Sequence, residues 1–352
     1  ISTSIKSYNN FLGVLLSLLN LNLNSVFSIF EVGTNNFKEI NKLSSLILPH
    51  QVIISNIYPT HLENFHNTRN IAKEKSDLFN PKYNNNIELV ILPKSNKDEI
   101  YLYNLAKKYS INSIISFGYQ NDTDYYIKKI KKINNFLSNV TINTPEKITD
   151  FQTSTSFTHQ ITNLLIPIIF FSYNNLNTIK LFNKMNNIPL IEGRGLFHNI
   201  SINKKIITLI DESYNSNPMS MKNCIEYFNE YIVEKDQRKI IIIGEMLELG
   251  DNSLNFHNEI VTKVLNASID TIIFCGDIFK KILIDFTNHL NLNKKNQNDS
   301  LNFFYFSKEI EILNFLDANI HKNDIILAKG SNSSKINKLV KKLLERKVTI
   351  HC

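Results

Sequence analysis

Short apolar runs alternate along the chain with segments that have helical spacing. Most of these runs are continuously apolar, which is typical of parallel strands covered on both faces by helices. Residues 98–109 and 220–231 are instead apolar at the i, i+3, i+4 and i+7 positions of one helix face. The candidate strands are 26–30, 52–57, 88–92, 113–117, 206–210, 240–243, 271–275 and 325–328. The pattern predicts an α/β fold with a mostly parallel sheet.

A domain boundary is expected near residue 188. The 352 residues are enough for two ordinary domains. The sequence N-N-I-P at 186–189 interrupts a helical pattern, and E-G-R-G at 192–195 is the richest glycine cluster of the chain. We therefore expect one domain over 1–188 and a second over 189–352.

The composition is that of a folded globular protein, with 43% hydrophobic and 20% charged residues. The net charge of +7 could indicate a nucleic-acid partner. However, the lysines are spread along the chain, and no motif combines aromatic and basic residues. The densest run, K-K-I-K-K at 128–132, is interpreted as the solvated face of a helix. Nucleic-acid binding is therefore not expected.

Cysteine usage and hydropathy point to the cytoplasm. Cys224, Cys275 and Cys352 are far apart and form no C-x-x-C pair, so neither a disulfide framework nor a zinc site is expected. Cys224 and Cys275 have apolar neighbours and are expected in the core. The longest apolar runs, 11–19 and 164–171, are too short to span a bilayer. These features predict a cytoplasmic protein without a membrane span.

Polar residues follow several of the predicted strands. They are Glu31, His61, Asp211, Glu245 and Lys329. Ligands of open α/β sheets bind beyond the carboxyl ends of the strands, so this placement predicts a site at one edge of two sheets. A carboxylate such as Glu31 can bind Mg²⁺, which prefers oxygen ligands.

The segment 209–221 carries the strongest chemical signal. A strand ends in Asp211 and Glu212, a polar turn follows, and Asn217-Pro218 supplies an N-cap with proline at the first helical position. A strand–turn–helix unit accounts for the cap. It does not account for two acids, a tyrosine and two asparagines in one loop.

This segment, D-E-S-Y-N-S-N-P at 211–218, resembles the D-[DE]-S-Y-N-[AS]-N-P signature of the Mur ligase family, in the branch that adds D-alanyl-D-alanine. Further stretches resemble the family's motifs in the same order. They are N-N-F-L-G at 9–13, E-V-G-T-N at 31–35 with E-I at 39–40, N-I-Y-P-T-H-L-E at 56–63, G-E-M-L-E-L-G at 244–250 followed by His257, and K-G-S at 329–331. The resemblance extends over nearly the whole chain.

The resemblance implies an ATP-dependent amide ligase that adds D-alanyl-D-alanine to UDP-N-acetylmuramoyl-tripeptide through an acyl phosphate. ATP and Mg²⁺ are the implied cofactors, and the protein is expected to be a monomer. Catalytic and Mg²⁺-associated roles are implied for Glu31, His61 and Lys75, of which Lys75 matches a lysine that is carbamylated in the family. Nucleotide contacts are implied for Asn10, His159, Asn163, Arg194 and Asp211. Contacts with the dipeptide substrate are implied for Asn215, Lys329 and Ser331.

The chain also departs from the family pattern. It contains no G-x-x-x-x-G-K-[ST] phosphate loop, which would be expected upstream of Ile1 together with the UDP-sugar-binding domain. Phe157 stands in place of a glycine, Asn332 replaces an arginine, and Pro167 should kink the helix after Asn163. The resulting expectation is a central ATPase domain truncated at its N-terminus, followed by a Rossmann-like C-terminal domain, and a chain that is inactive by itself.

Two other functions stay open. One is a different ligase of the same fold, such as the meso-diaminopimelate-adding enzyme or folylpolyglutamate synthase, although the S-Y-N-S-N sequence at 213–217 argues against both. The other is a non-catalytic remnant that acts as a binding scaffold.

Overall fold

The chain forms two compact units, and the computed structural model describes residues 1–4, 7–293 and 303–348. The first unit comprises Ile1–Lys132, Ser138–Thr153 and Gln160–Asn186. The second comprises Ile133–Leu137, Ser154–His159 and Asn187–Cys352. Cys352 itself and residues 294–302 lie outside the described part of the chain.

The first unit contains a six-stranded sheet and a separate two-stranded one. Its strands are β1 (Ser2–Thr3), β2 (Ser28–Ile29), β3 (Gln51–Ile53), β4 (Leu89–Pro93), β5 (Ser113–Gly118), β6 (Tyr125–Lys132), β7 (Ser138–Asn143) and β8 (Ile148–Thr153). Its helices are α1 (Phe11–Leu19), α2 (Ile40–Ile47), α3 (Leu62–Phe65), α4 (Thr68–Ser76), α5 (Lys97–Lys108), α6 (Thr158–Asn163), α7 (Leu165–Tyr173) and α8 (Thr178–Lys184). The first two residues of α6 are grouped with the second unit.

The large sheet of the first unit has the order β3-β4-β5-β6-β7-β8. Strands β3 to β6 are parallel, and β7 and β8 continue the sheet antiparallel. Every residue of β4 is buried, because helices cover both faces of a parallel strand. Leu102 and Ala106 of α5 and Ala72 of α4 pack against this strand and form part of the core.

The second unit contains one six-stranded sheet. Its strands are β9 (Leu196–Ile202), β10 (Lys205–Glu212), β11 (Lys239–Gly244), β12 (Thr271–Cys275), β13 (Phe303–Phe306) and β14 (Ile325–Lys329). Its helices are α9 (Pro218–Asn229), α10 (Ser253–Leu265), α11 (Asp277–Asn293), α12 (Glu309–Asn319) and α13 (Lys335–Leu344).

The strand order of the second unit is β13-β12-β11-β14-β10-β9, parallel except for β9. This is a Rossmann-like arrangement in which β14 lies between β10 and β11. The carboxyl ends of these three strands therefore meet at one edge. Asn217 begins α9 with a reciprocal capping box with Ser220, and Pro218 occupies the first turn, as the sequence predicts.

The structure confirms the mostly parallel α/β fold but corrects some local predictions. The run 128–132 belongs to strand β6 and not to a helix, although Lys128, Lys129 and Lys131 are exposed as expected. The predicted strand 26–30 shrinks to the two residues of β2, which pairs only with β1 among the described residues. The helical segment around Pro167 is broken at Leu164, between α6 and α7, so that the proline falls in the first turn of α7. Cys224 and Cys275 are buried in the core. In the described part of the chain, no helix has the length and apolar character needed to cross a membrane.

Candidate functional site

The signature loop leaves the carboxyl end of β10 in the second unit. Asp211 is 2% exposed, and its Oδ1 accepts hydrogen bonds from the backbone N–H of Ser213 at 3.0 Å and from the Ser213 hydroxyl at 2.6 Å. The loop then runs through the exposed Asn215 to the cap of α9 at Asn217. Asp211 therefore fixes the start of the loop, and α9 fixes its end.

Glu212 and Lys329 face each other across the parallel strands β10 and β14. The Lys329 Nζ atom lies 3.1 Å from Glu212 Oε2 and donates a second hydrogen bond, also of 3.1 Å, to the carbonyl oxygen of Asn215. Lys329 is 1% exposed and Glu212 6% exposed, so this is a buried ion pair. Sequence reasoning selected Lys329 and missed Glu212, although the second acid of the motif was the available signal.

Ser331 connects the loops that follow three neighbouring strands. Its hydroxyl accepts from the backbone N–H of Leu247 at 3.0 Å and lies 3.5 Å from the carbonyl oxygen of Ser216. Its backbone N–H donates to the carbonyl oxygen of Glu245 at 3.2 Å. The segments 211–218, 244–250 and 329–331, singled out as separate motifs in the sequence, are therefore joined at one edge of the sheet.

The G-E-M-L-E-L-G loop is held by two polar side chains. The Glu245 Oε1 atom accepts from the backbone N–H of Ile278 at 3.0 Å, at the start of α11. His257 Nε2 accepts from the backbone N–H of Met246 at 2.9 Å, while His257 Nδ1 lies 2.7 Å from the carbonyl oxygen of Ser253. This arrangement requires the neutral ring with its proton on Nδ1, and burial lowers the pKa of His257.

The residues expected near the nucleotide differ in exposure and in the contacts they make. The exposed Arg194 places its guanidinium 4.5 Å from the centre of the Tyr214 ring. His159 is half-buried, and within the described part of the chain its Nδ1 atom has no hydrogen-bond partner. Burial lowers the pKa of His159, whereas the nearby Glu212 acts in the opposite direction. Asn163 is exposed at the last residue of α6, in the first unit.

Phe157, which replaces a glycine of the family pattern, packs against α9. Its ring is stacked on Tyr227 with 3.8 Å between the centroids. This contact gives the substitution a local structural reason.

In the first unit, Glu31 is held by Asn9. The Asn9 Nδ2 atom donates to Glu31 Oε1 at 2.8 Å, and the Asn9 carbonyl oxygen accepts from the backbone N–H of Gly33 at 2.9 Å. A Cβ atom on Gly33 would lie 2.8 Å from the Asn9 side chain and would displace it from its position beside Glu31. The predicted Asn10 caps α1: its Oδ1 atom accepts from the backbone N–H of Gly13 at 2.9 Å.

Lys75 points into the first unit from α4. Its Nζ atom donates to the carbonyl oxygen of Asn56 at 3.1 Å, and Lys73 on the same helix is exposed. Burial of the ammonium group lowers the pKa of Lys75 to about 8, while the Glu99 carboxylate acts in the opposite direction. Between the two lysines, Glu74 accepts hydrogen bonds from three backbone N–H groups at the start of α2, which fixes α4 in place.

His61 lies at the end of the loop that Lys75 contacts. It precedes α3 in a left-handed backbone conformation with φ of 52°, and its carbonyl oxygen accepts from the backbone N–H groups of Asn64 and Phe65. Its side chain is half-buried. The loop 54–61 therefore links the positions of His61 and Lys75.

The residues that the structure describes could hold Mg²⁺ through a single carboxylate but not through a cluster of protein ligands. Over residues 1–4, 7–293 and 303–348, no three His, Cys, Asp or Glu side chains come together as a metal site. Glu31 nevertheless offers a carboxylate at the surface. Mg²⁺ is commonly bound through one or two carboxylates, with waters and substrate phosphates completing its shell, so a single glutamate fits such an ion.

Two family models match the chain. The Mur ligase middle domain matches residues 1–170, and the Mur ligase glutamate ligase domain matches residues 198–332. A relative from Rickettsia prowazekii, UDP-N-acetylmuramoyl-tripeptide–D-alanyl-D-alanine ligase, is 29% identical over 344 residues, which cover 95% of this chain and 70% of the relative.

Solved structures share the fold. MurF from Acinetobacter baumannii superposes with a TM-score of 0.80 at 21% identity, covering 98% of this chain and 70% of that one. MurF ligase from Thermotoga maritima in complex with ADP gives a TM-score of 0.78 at 17% identity, covering 98% and 73%. At these identities the likeness establishes the fold alone.

Proposed function

The chain belongs to the Mur ligase family, and from this premise we propose that it adds D-alanyl-D-alanine to UDP-N-acetylmuramoyl-tripeptide in an ATP-dependent reaction of peptidoglycan synthesis. The observation that carries the proposal is the signature loop 211–218, which lies beside the K-G-S segment 329–331 at the carboxyl edge of the second unit. Relatives of this name match the chain along nearly all of its length.

The reaction joins a carboxylate to an amine, so its main physical demands are positioning and the neutralisation of negative charge. ATP phosphorylates the carboxylate, and the amine then displaces phosphate from the acyl phosphate. In the second unit, Lys329 and Arg194 supply positive charge, and the loop 213–217 supplies hydroxyl and amide groups. Such groups can orient a dipeptide and a nucleotide without forming covalent bonds.

Glu31 and His61 are the proposed Mg²⁺-associated residues of the first unit. When bound, Mg²⁺ would neutralise charge on the ATP phosphates. The hydrogen bond from Asn9 to Glu31 Oε1 orients the carboxylate that would hold the ion. Oriented outer partners of this kind are typical of metal ligands.

Lys75 is the proposed site of carbamylation. Carbon dioxide adds to a neutral amine, and an ordinary lysine is almost fully protonated near neutral pH. Burial lowers the pKa of Lys75 to about 8, which raises the fraction of free amine. The carbamate would convert a cation into an anion close to the loop that carries His61.

For the nucleotide we propose contacts with His159, Asn163, Arg194, Asp211 and Asn10. The unpartnered Nδ1 atom of His159 supports this assignment, because a buried ring nitrogen favours a ligand or a water that completes its hydrogen bonding. The Oδ1 atom of Asn10 also caps α1.

For the dipeptide we propose Asn215, Lys329 and Ser331. Asn215 exposes its side chain, whereas Lys329 and Ser331 are buried and hold the surrounding loops. We further propose that the enzyme acts in the cytoplasm as a monomer and needs no nucleic acid.

The test is substrate selection by a protein that spans the full length of a relative. The matched region covers 70% of the R. prowazekii relative, so the chain is joined to the remaining segment of that relative in one polypeptide, here called the fusion. We expect the fusion to release phosphate from ATP only with UDP-N-acetylmuramoyl-tripeptide and D-alanyl-D-alanine present. An active fusion that prefers meso-diaminopimelate or glutamate would refute the assignment. A folded fusion that binds the substrates without turnover would favour a scaffold.

A further inference from the structure

The buried pair of Glu212 and Lys329 is an unusual feature of the second unit. Both side chains stand at the last residues of β10 and β14, where the strands end and the signature loop begins. Lys329 Nζ lies 3.1 Å from Glu212 Oε2, and the two side chains are 2% and 7% exposed. Residues 117 positions apart in the chain are thus brought together by the register of two parallel strands.

This buried ion pair contributes little to the stability of the fold. Removing two charges from water costs free energy that their attraction only partly repays, and a buried polar atom without a partner adds to the cost. The second carboxylate oxygen, Glu212 Oε1, is buried and has no hydrogen-bond partner within the described residues. A well-packed apolar pair would serve the core at least as well.

What the pair does hold is the loop. Lys329, which lies outside the loop, donates to the carbonyl oxygen of Asn215 at 3.1 Å. Two other side chains also donate to carbonyl oxygens of the loop, at longer distances: Asn337 to Ser213 at 3.3 Å and Ser331 to Ser216 at 3.5 Å. The hydrogen bond from a charged donor is also the strongest type of the three.

We propose that Glu212 is a positioning residue of the ligase reaction: it fixes the Lys329 ammonium, which in turn fixes the Asn215 carbonyl and the loop 213–217. This inference rests on the proposed function. It changes the role expected for Lys329 from a direct partner of the dipeptide carboxylate to a support of the loop. The charge of Lys329 is already matched by Glu212, and the exposed Asn215 is the residue that the loop presents.

The two roles of Lys329 predict opposite effects of Glu212→Gln. If Lys329 bound the dipeptide carboxylate directly, the substitution would free its charge and lower the dipeptide KM. If the pair positions the loop, the substitution weakens the hold on Asn215 and raises that KM. Misplacement of binding groups by about 1 Å is enough to reduce the catalytic efficiency roughly ten- to a hundredfold.

The experiment is a double-mutant cycle in the fusion with Glu212→Gln, Lys329→Met and both together. Each single variant should raise the dipeptide KM by about tenfold and change the ATP KM by less than about twofold. The double variant should be no worse than the poorer single one, because both changes break the same support. Glu212→Asp, which keeps the charge, should give an intermediate KM.

A matched control lies at the other end of the same strand. Asp324 precedes β14, is fully buried, and pairs with Arg238 at 2.6 Å. Asp324→Asn should lower the melting temperature without changing the dipeptide KM. If Asp324→Asn and Glu212→Gln raise that KM equally, the effect is general destabilisation and the proposal is overturned.

Hydrogen exchange in the 352-residue chain tests the same proposal without turnover. Glu212→Gln should speed exchange at the amides of Ser216 and Asn217 by about tenfold, and Asp324→Asn should not. Unchanged exchange there, or a lower dipeptide KM in the cycle, overturns the positioning role. Exchange as expected in the chain, together with a fusion that does not use the dipeptide, overturns the proposed function instead.

Discussion

The ammonium group of Lys75 and the carboxylate of Glu99 hold opposite ends of a single peptide group. Lys75 Nζ donates to the carbonyl oxygen of Asn56 at 3.1 Å, and the adjoining N–H of Ile57 donates to Glu99 Oε1 at 3.1 Å. Glu99 is 2% exposed. The start of the loop that carries His61 is therefore fixed between the buried Glu99 carboxylate and the half-buried Lys75, which cannot be treated as a solvated lysine.

The first prediction separates Lys75 from Lys73. Lys75→Ala should abolish ligase activity of the fusion, a loss of at least about a hundredfold, because it removes the amine from the loop 54–61. Lys73→Ala should change activity by less than about twofold, since that side chain is exposed. Steady-state phosphate release measures both. High bicarbonate or a short-chain carboxylate should partly restore Lys75→Ala but leave Lys73→Ala unaffected.

The reverse pattern, with Lys73→Ala inactive and Lys75→Ala silent, would contradict the assignment of the modified lysine. Thermal unfolding of both variants serves as the control, because a misfolded Lys75→Ala protein would also lack activity. Lys75→Met preserves more of the side-chain volume and provides a second variant for this purpose.

The second prediction concerns stability and pH. Burial lowers the pKa of Lys75 from 10.5 to about 8, so between these values the unfolded chain binds a proton that the folded protein does not. Unfolding then takes up a proton, and stability contributed by this group rises with pH. Lys75→Met lacks this rise. Its free energy of unfolding, relative to the unsubstituted protein, should fall by roughly 2–3 kcal/mol between pH 7 and pH 10. Denaturant titrations at both pH values measure the change, and an unchanged difference would argue against a buried ammonium.

The third prediction distinguishes the neighbours Asn9 and Asn10. Asn9→Ala removes the donor to Glu31 Oε1, so the fusion should need more Mg²⁺ for half-maximal activity, by about ten- to a hundredfold. Asn10→Ala removes the cap of α1 and should lower the free energy of unfolding by about 1 kcal/mol. Magnesium titrations and denaturant unfolding measure the two effects. If Asn10→Ala also raises the KM for ATP, Asn10 contacts the nucleotide in addition to capping the helix.

The sequence predicts the sheet of the second unit well because its central strands are buried on both faces. Residues 240–243 and 272–275 are short continuous apolar runs of strand length, and both form strands. The prediction of a helix over residues 128–132 is wrong. A register shift between Ile127 and Lys129 breaks the alternation that would have identified β6 as a strand.

The sequence predicts the parts of the site that lie within a single motif, but not the contacts between distant segments. The loop 211–218 and the K-G-S segment were found, but the contact between Glu212 and Lys329 depends on which strands become neighbours. Local pattern does not contain that information. Similarly, Asn9 and Asn10 are indistinguishable in the sequence, and only the helix start decides which of them faces Glu31.

The last prediction concerns His257 and acid stability. His257 Nε2 accepts from the Met246 N–H, so a protonated ring would place two donors against each other. Burial lowers the pKa of His257 below its ordinary value of 6.5. Below that pH the unfolded chain takes up the proton first, so the stability contributed by this group is lost as pH falls, by up to about 1.4 kcal/mol per pH unit. The His257→Gln variant lacks this pH-dependent contribution to the free energy of unfolding. Its destabilisation relative to the unsubstituted protein should therefore shrink between pH 7.5 and pH 5. His50→Gln, at an exposed position, is the control. A destabilisation that stays constant over this range would mean that His257 does not resist protonation.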